Sequence, residues 1–335
     1  MGFTGGNTMQ QVLVQIKEIL LSQKCVAIIS HSNPDGDTLG SQLALAGALD
    51  KAGIETILIN NDEVSDKYHF VAGCERIQPY REDMALPEVI VFVDCASLEL
   101  AGCDESTAFL QGKTIINIDH HTSNKLYGAV NFVDGEAAAN CQNIYELIRV
   151  LGMPITPDMA TALYMGLSTD TGNFLFDNVS SETLRIAADL KDCGADTNSL
   201  RWYMYESYSH KRIELMKYIL NDLHISYNGK YAWSKLNYEM MQRLHPDSTD
   251  IDGLINTIKN IEGVEIALLF RGVAEDKTKV SLRSKMWSDV NKIAGMFGGG
   301  GHVRAAGCTI EGNVEQAAEL MVPAVKIYLE TEQPT

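Results

Sequence analysis

The sequence predicts an α/β protein with an N-terminal domain over residues 1–190 built on a parallel sheet. A helical linker over 191–225 joins it to a smaller α+β domain over 226–335. Three observations lead there. The chain of 335 residues is longer than one hydrophobic core usually serves. Its first half alternates apolar strand-like runs with helix-like runs, the pattern of parallel sheets with crossover helices. After Asn228-Gly229 the texture changes to short strand-like stretches interleaved with helices.

Taken in order, Val26 to Ser30 is an apolar run, followed by a polar loop and a helix from Leu39 to Ala52 that Gly53 ends. Ile54 to Asn60 reads as the next strand. Val89 to Asp94 and Thr114 to Asp119 are nearly continuous in branched apolar residues, as expected of strands covered on both faces. Ala139 to Leu151 reads as a helix closed by Gly152 and Pro154, and Ala160 to Leu167 as a second one leading into Ser168 to Phe174. Ser181 to Leu223 is long, helical and charged. Beyond it, 231–237, 266–271 and 279–284 read as strands, and 254–260 and 314–329 as helices.

Composition narrows the function. A net charge of −17 and a pI near 4.8 disfavour long nucleic acid, including long duplexes, as the partner. No run approaches the roughly 20 apolar residues of a membrane span, and no signal peptide is present, so no membrane partner is expected. Residues Met1 to Thr8 read as a polar, Gly-rich leader with Met9 an alternative start. The seven cysteines are scattered and form no C-x-x-C pair, which points to a reducing cytoplasm. Cys95, beside Asp94, reads as a buried spectator thiol because no basic neighbour lowers its pKa.

Four short segments carry the chemistry. They are His31-Ser-Asn-Pro-Asp35-Gly-Asp37, Val-Phe-Val-Asp94, Ile-Asp119-His120-His121 and Ser-Thr-Asp170-Thr-Gly. Any one alone is weak, since an Asp after a strand is usually a helix N-cap and a His pair is usually structural. Together they supply roughly the six or seven nitrogen and oxygen ligands that two adjacent divalent cations need. His31, Asp94 and Asp119 sit at the carboxyl ends of predicted strands, where open parallel sheets form their ligand crevice. Asp119 is as well suited to orienting an imidazole as to binding a cation directly. A ligand set of carboxylate and imidazole without thiolate favours Mn2+, with Mg2+ or Co2+, and also Zn2+, as alternatives.

A second informative segment is Phe297-Gly298-Gly299-Gly300-Gly301-His302, followed by Arg304 and Ala305-Ala306-Gly307. Consecutive glycines let backbone approach a ligand and present N–H groups to a phosphate. With Arg283-Ser284 upstream, Gly299, Gly300, Gly301, His302 and Arg304 are candidate substrate contacts. Between Lys277 and Arg304 six basic residues stand against one acid, a locally basic patch suited to a short anionic substrate in a cleft between domains.

Ile118-Asp119-His120-His121, with His31, Asp35, Asp37, Asp94 and Asp170, resembles the DHH phosphoesterase superfamily. Gly298 to His302 with Ala305-Ala306-Gly307 is similar to the DHH-associated C-terminal domain. The resemblance runs from about residue 20 to 325. It implies that His31, Asp35 and Asp94 hold one Mn2+, and that Asp37, Asp94, His120 and Asp170 hold the other. It places His121 beside the attacking water and scissile phosphate, with Asp119 also in the catalytic group, and Arg283, Gly300 and His302 on the substrate. Arg304 carries over less securely. A two-domain chain of this size resembles the oligoribonuclease (nanoRNase)/pAp phosphatase subgroup. The expected substrates are then short RNA and oligonucleotides, linear dinucleotides such as pApA, and the nucleoside bisphosphate 3′-phosphoadenosine 5′-phosphate. Hydrolysis of cyclic dinucleotides, or of pyrophosphate and polyphosphate, is the enzymatic alternative, and a non-catalytic nucleotide sensor the alternative of another class. A homodimer is compatible with the sequence but not indicated by it.

Overall fold

The computed structural model describes residues 8–104 and 106–332. Residues 1–7 of the leader lie outside that range. Thr8 is the N-cap of the first helix, with a reciprocal capping box to Gln11. The chain forms two compact units, one through Glu206 and one from Ser207.

The first unit runs α1 (Met9–Leu21), β1 (Cys25–Ser30), α2 (Gly36–Lys51), β2 (Glu55–Ile59), β3 (Ile77–Gln78), β4 (Val89–Val93), β5 (Thr114–Asp119), β6 (Val130–Val133), α3 (Asn140–Leu151), α4 (Pro157–Asp170), α5 (Ser181–Asp192) and α6 (Thr197–Leu200). Its six strands pair in parallel in the order β3-β2-β1-β4-β5-β6. The chain therefore builds outward from β1 in one direction and from β4 in the other. The crevice at this switch lies beyond the carboxyl ends of β1 and β4. Val26, Ile28, Val89, Val91 and Val93 pack with residues of α1 to α6, while Ala27, Ile29, Ile90 and Phe92 pack under irregular segments carrying Ala101, Cys103 and Leu110. That two-sided burial is why these strands lack apolar–polar alternation.

Helices α2 and α4 are close-packed because their contact face is made of glycine. A Cβ on Gly40 would stand 2.4 Å from the Ala162 carbonyl oxygen, and one on Gly166 would stand 2.2 Å from Cys141 Sγ. The start of α2 meets the end of α4, since Gly36 faces Thr169 and Gly47 faces Met159. This seam, unremarked in the sequence, brings Asp37 and Asp170 to one place. Both helices are also longer than the apolar pattern indicates. α2 begins at Gly36 because Asp35 caps it, its Oδ1 accepting the N–H groups of Asp37 and Thr38 at 3.0 Å each. α4 continues to Asp170.

The second unit runs α7 (His210–Asn221), β7 (His224–Ser226), β8 (Tyr231–Leu236), α8 (Tyr238–Leu244), α9 (Ser248–Ile251), α10 (Ile255–Lys259), β9 (Ile266–Ala274), β10 (Lys277–Ser284), α11 (Val290–Gly295), β11 (Gly300–His302), β12 (Ala305–Glu311) and α12 (Val314–Thr331). Its sheet order is β11-β12-β10-β9-β8-β7, antiparallel except for the β8–β9 pair. Leu282, Val280 and Phe270 pack with α11 and α12 on one face. Ala267 and Leu269 pack on the other with Leu215 and Ile219 of α7 and Ile255 and Ile258 of α10. The charged stretch read as a linker is thus divided. Ile186, Leu190 and Leu200 are buried in the first unit's core, and Leu215 and Ile219 in the second's. Among the described residues no helix is long and apolar enough to cross a membrane.

Candidate metal centre

His31 follows β1, Asp35 and Asp37 begin α2, Asp94 follows β4, and Asp119 ends β5 ahead of His120 and His121. Asp170 ends α4. The parallel pairing of β1, β4 and β5 puts their carboxyl ends along one edge, and the glycine seam adds Asp170. Three overlapping sets result: His31, Asp35 and Asp94; Asp37, His120 and Asp170; and Asp94, His120 and His121. Within each, one ligand atom per residue lies within 4.8 Å of the others.

Asp94 belongs to two of the three sets, and His120 links the third to them. Its Oδ2 lies 3.4 Å from His31 Nε2, and its Oδ1 lies 3.6 Å from both His120 Nε2 and His121 Nδ1. The carboxylate is buried, and Oδ1 has no hydrogen-bond partner among the described residues. A buried carboxylate oxygen left without a donor is costly, and a cation is the partner that removes the cost. Asp94 also holds a left-handed backbone (φ 52°), a strain of about 1–3 kcal/mol that tends to mark functional sites.

Each imidazole is oriented by its other nitrogen. His31 Nδ1 is 2.7 Å from the Ser32 carbonyl and His120 Nδ1 is 3.2 Å from the Ala137 carbonyl, so Nε2 of both faces the carboxylates. His120 Nε2 lies 3.7 Å from Asp37 Oδ2 and 3.4 Å from Asp170 Oδ2. Asp37 is fully buried and accepts the backbone N–H of Asn140 at 2.6 Å and of Cys141 at 2.8 Å. Residue Ala139 supplies no cap to α3, so Asp37 caps that helix from a distant part of the chain. Charge-assisted bonds and the positive end of α3 both favour its ionised form.

The electrostatics are those of buried carboxylates crowded together. Burial and the charge of Asp94 push Asp37 up to about 7, and burial with the charges of Asp37, Asp35 and Asp94 raises Asp170 well above the carboxylate range. Burial opposes ionisation of Asp94 too, but the bond from His31 and the charges of His120, His31 and His121 hold it at about 2. Burial opposes protonation of His31, yet its bond to Asp94 raises it to about 9. Divalent cations would offset this repulsion, and an oxygen- and imidazole-rich set suits Mn2+ or Mg2+.

Asp119 stands apart from the three sets. Fully buried, it bonds His121 Nδ1 through Oδ1 at 2.8 Å and accepts from Asn124 Nδ2 through Oδ2 at 2.6 Å. Of the two roles open from sequence, orienting the imidazole is the one this arrangement serves. The bond from Asp119, against the opposing effect of burial, raises His121 to about 9. Asn124, which the motif reading passes over, is further tied to Asn117 Oδ1 at 2.8 Å. Cys95 is buried with its thiol pushed up to about 12 by burial, so it is unreactive.

In the second unit, strand register separates the candidate substrate residues. Arg283 pairs with Ala305, which pairs with His302, while Ser281 pairs with Gly307, which pairs with Gly300. Arg283, Gly300 and His302 therefore share one face with only small residues between them. Ser284 corrects the sequence reading. It is buried on the opposite face, and its hydroxyl donates to the Ser288 carbonyl at 2.6 Å, because side chains alternate along β10. Arg304 likewise donates to the Ser288 carbonyl at 2.8 Å. Gly298 (φ 70°) and Gly301 (φ 147°) are required by backbone conformation, and a Cβ on Gly299 would stand 2.2 Å from the Gly307 carbonyl oxygen. At Gly300 the nearest atom to a Cβ would be Asn291 Oδ1 at 3.7 Å, so neither packing nor backbone conformation explains that glycine. The basic patch is partly neutralised by Lys277–Glu311 and Lys292–Glu332 pairs.

Comparison with known proteins agrees with both halves. The DHH family N-terminal domain matches residues 25–167 and the DHHA1 domain matches residues 228–330. A bifunctional oligoribonuclease and PAP phosphatase NrnA of Thermus thermophilus is 33% identical over 306 residues, covering 90% of this chain and 89% of the relative. The protein of that name from Mycoplasma genitalium is 29% identical, covering 90% of this chain and 93% of the relative. A crystal structure of an exopolyphosphatase-related protein from Bacteroides fragilis superposes with a TM-score of 0.87 at 26% identity, covering 95% of this chain and 96% of that one. With both domains matched in order, and close likeness along nearly its whole length to oligoribonuclease and pAp phosphatases, the chain belongs to the DHH/DHHA1 phosphoesterases, in the nanoRNase/pAp phosphatase subgroup.

Proposed function

We propose that this protein is a cytoplasmic, Mn2+-dependent hydrolase of short oligoribonucleotides, of linear dinucleotides such as pApA, and of 3′-phosphoadenosine 5′-phosphate. The observation that carries the reading is Asp94, a buried carboxylate whose two oxygens face different sets of candidate ligands, one oxygen being without a donor. His31, Asp35 and Asp94 would hold one cation, and Asp37, Asp94, His120 and Asp170 the other. Bound there, the pair would supply Lewis acidity to the phosphoryl oxygens and an activated water. Asp119 holds His121 by Nδ1, leaving Nε2 free to give a proton to the departing nucleoside oxygen. Arg283, with the open backbone at Gly300 and with His302, would hold the substrate's phosphate. In this reading 1–190 carries the hydrolytic centre, 226–335 the recognition face, and 191–225 connects them. The names of the NrnA relatives support this substrate class.

Assay of the purified protein with Mn2+ on pApA, RNA of two to five nucleotides, and 3′-phosphoadenosine 5′-phosphate tests the reading. Turnover of at least one is expected, and none with bound cation confirmed would overturn it. The likeness to an exopolyphosphatase-related protein favours hydrolysis of phosphoanhydrides as a second reading. Faster phosphate release from pyrophosphate or tripolyphosphate than AMP release from pApA would select it.

A further inference from the structure

The first cation set contains a residue that the motif does not name. Thr38, the third residue of α2, is fully buried. Its hydroxyl oxygen lies 2.6 Å from His31 Nε2, 3.0 Å from Asp35 Oδ1 and 2.8 Å from Asp94 Oδ2. One side-chain oxygen thus touches a ligand atom of every member of that set. The contact to Asp35 is local and could be set by capping alone, because Asp35 Oδ1 also accepts the Thr38 N–H. The contacts to His31 and Asp94 are not local, since Asp94 is 56 residues away in sequence. Packing does not call for the hydroxyl either. Valine has the same shape, and β-branched residues gain little from a helix interior.

We propose that Thr38 is a positioning residue of the first cation site, its hydroxyl fixing an Asp94 or Asp35 carboxylate beside His31 and so setting that site's affinity. The inference rests on the two-cation reading. Its physical basis is the cost of assembly. Two carboxylates and an imidazole do not converge unaided, because the carboxylates repel and each side chain gives up rotamer freedom. The hydroxyl has one proton, which it donates to Asp94 Oδ2 or Asp35 Oδ1, pinning that carboxylate beside His31 while the Nε2 lone pair stays available to a cation. Groups that hold ligands in place typically contribute 10- to 100-fold to metal affinity. Among the described residues no hydroxyl bridges Asp37, His120 and Asp170, so the effect falls mainly on the first ion.

The test counts ions. Mn2+ bound per chain is measured by electron paramagnetic resonance of the free ion during titration, for wild type, Thr38→Val, Thr38→Ser and Asp94→Asn. Wild type and Thr38→Ser should bind two ions. Thr38→Val should bind one at the concentration that saturates wild type, and take up the second with about 10- to 100-fold weaker affinity. Excess Mn2+ should restore most turnover to Thr38→Val but not to Asp94→Asn, a recovery that general damage to the fold would not allow. If Thr38→Val fails to fold by circular dichroism, Thr38→Ala makes the same comparison. Two ions of wild-type affinity in the variant lacking the hydroxyl would overturn the inference. A wild-type protein that binds fewer than two ions would overturn the two-cation reading instead.

Discussion

Replacing Gly166 with alanine tests whether the glycine seam sets the spacing of the cation ligands. The new Cβ would stand 2.2 Å from Cys141 Sγ, 2.7 Å from Asp37 Oδ1 and 3.0 Å from Asp37 Cα. The Cys141 side chain is fully buried and its backbone N–H is bonded to Asp37, so it has little room to move. Helix α4 must then withdraw from α2, carrying Asp170 away from Asp37 and His120. Overpacking of this kind costs about 3 kcal/mol at the upper end, and alanine recovers about 1 kcal/mol of helix propensity. A net loss of about 2 kcal/mol lowers Tm by about 4–8 °C in a domain of this size. A displacement near 1 Å should also lower turnover about 100-fold. Gly47→Ala on the same seam is the comparison, because its Cβ would meet the flexible Met159 side chain, Cγ at 2.8 Å. It should stay within about 0.5 kcal/mol of wild type. Calorimetry of the metal-free proteins, with Mn2+ titration alongside, reads both effects. A Gly166→Ala protein with wild-type Tm and wild-type ion binding would refute the argument.

Asp94→Asn should retain the fold, since asparagine tolerates the left-handed backbone, while ion binding and turnover fall by at least about 1,000-fold; retained turnover would exclude Asp94 as the shared ligand. Asp119→Asn should lower kcat about 100- to 10,000-fold with the ion count unchanged, because the change releases His121 without removing any residue of the two proposed cation sites. Gly300→Ala should leave Tm unchanged and raise KM about tenfold or more, and an unchanged KM would remove the open backbone from substrate recognition. Metal-free protein should lose stability as pH rises. Asp37, raised to about 7, contributes stability complete below its unfolded value of about 4 and lost as pH passes 7; His31 and His121, raised to about 9, contribute stability lost between about 6.5 and 9. Asp94, held at about 2, acts in the opposite sense only below about pH 4. Tm measured from pH 5 to 8.5 should therefore fall without cations and flatten with saturating Mg2+, and a flat metal-free profile would refute the charge assignment.

Particular residues mark what was legible in the chain. The apolar runs ending in His31, Asp94 and Asp119 declared both the strands and the edge on which chemistry sits, because a strand buried on both faces leaves a continuous signal. Residues such as Thr38 and Asn124 gave no such signal. Each is an ordinary polar residue in sequence, and only its contacts with the site distinguish it. Ser284 shows the reverse error, where adjacency to Arg283 suggested a shared role and strand alternation turned the two side chains to opposite faces.

By itself, then, the sequence determined the α/β order of elements, the ligand types and the class of reaction, since composition and local periodicity carry that information directly. Only the tertiary structure decided that the two oxygens of Asp94 face different imidazoles, that Asp37 caps a helix beginning at Asn140, and that Gly40 and Gly166 let α4 deliver Asp170. The physical reason is range. Periodicity and capping act over a few residues, whereas the convergence of charges depends on how closely two backbones can approach.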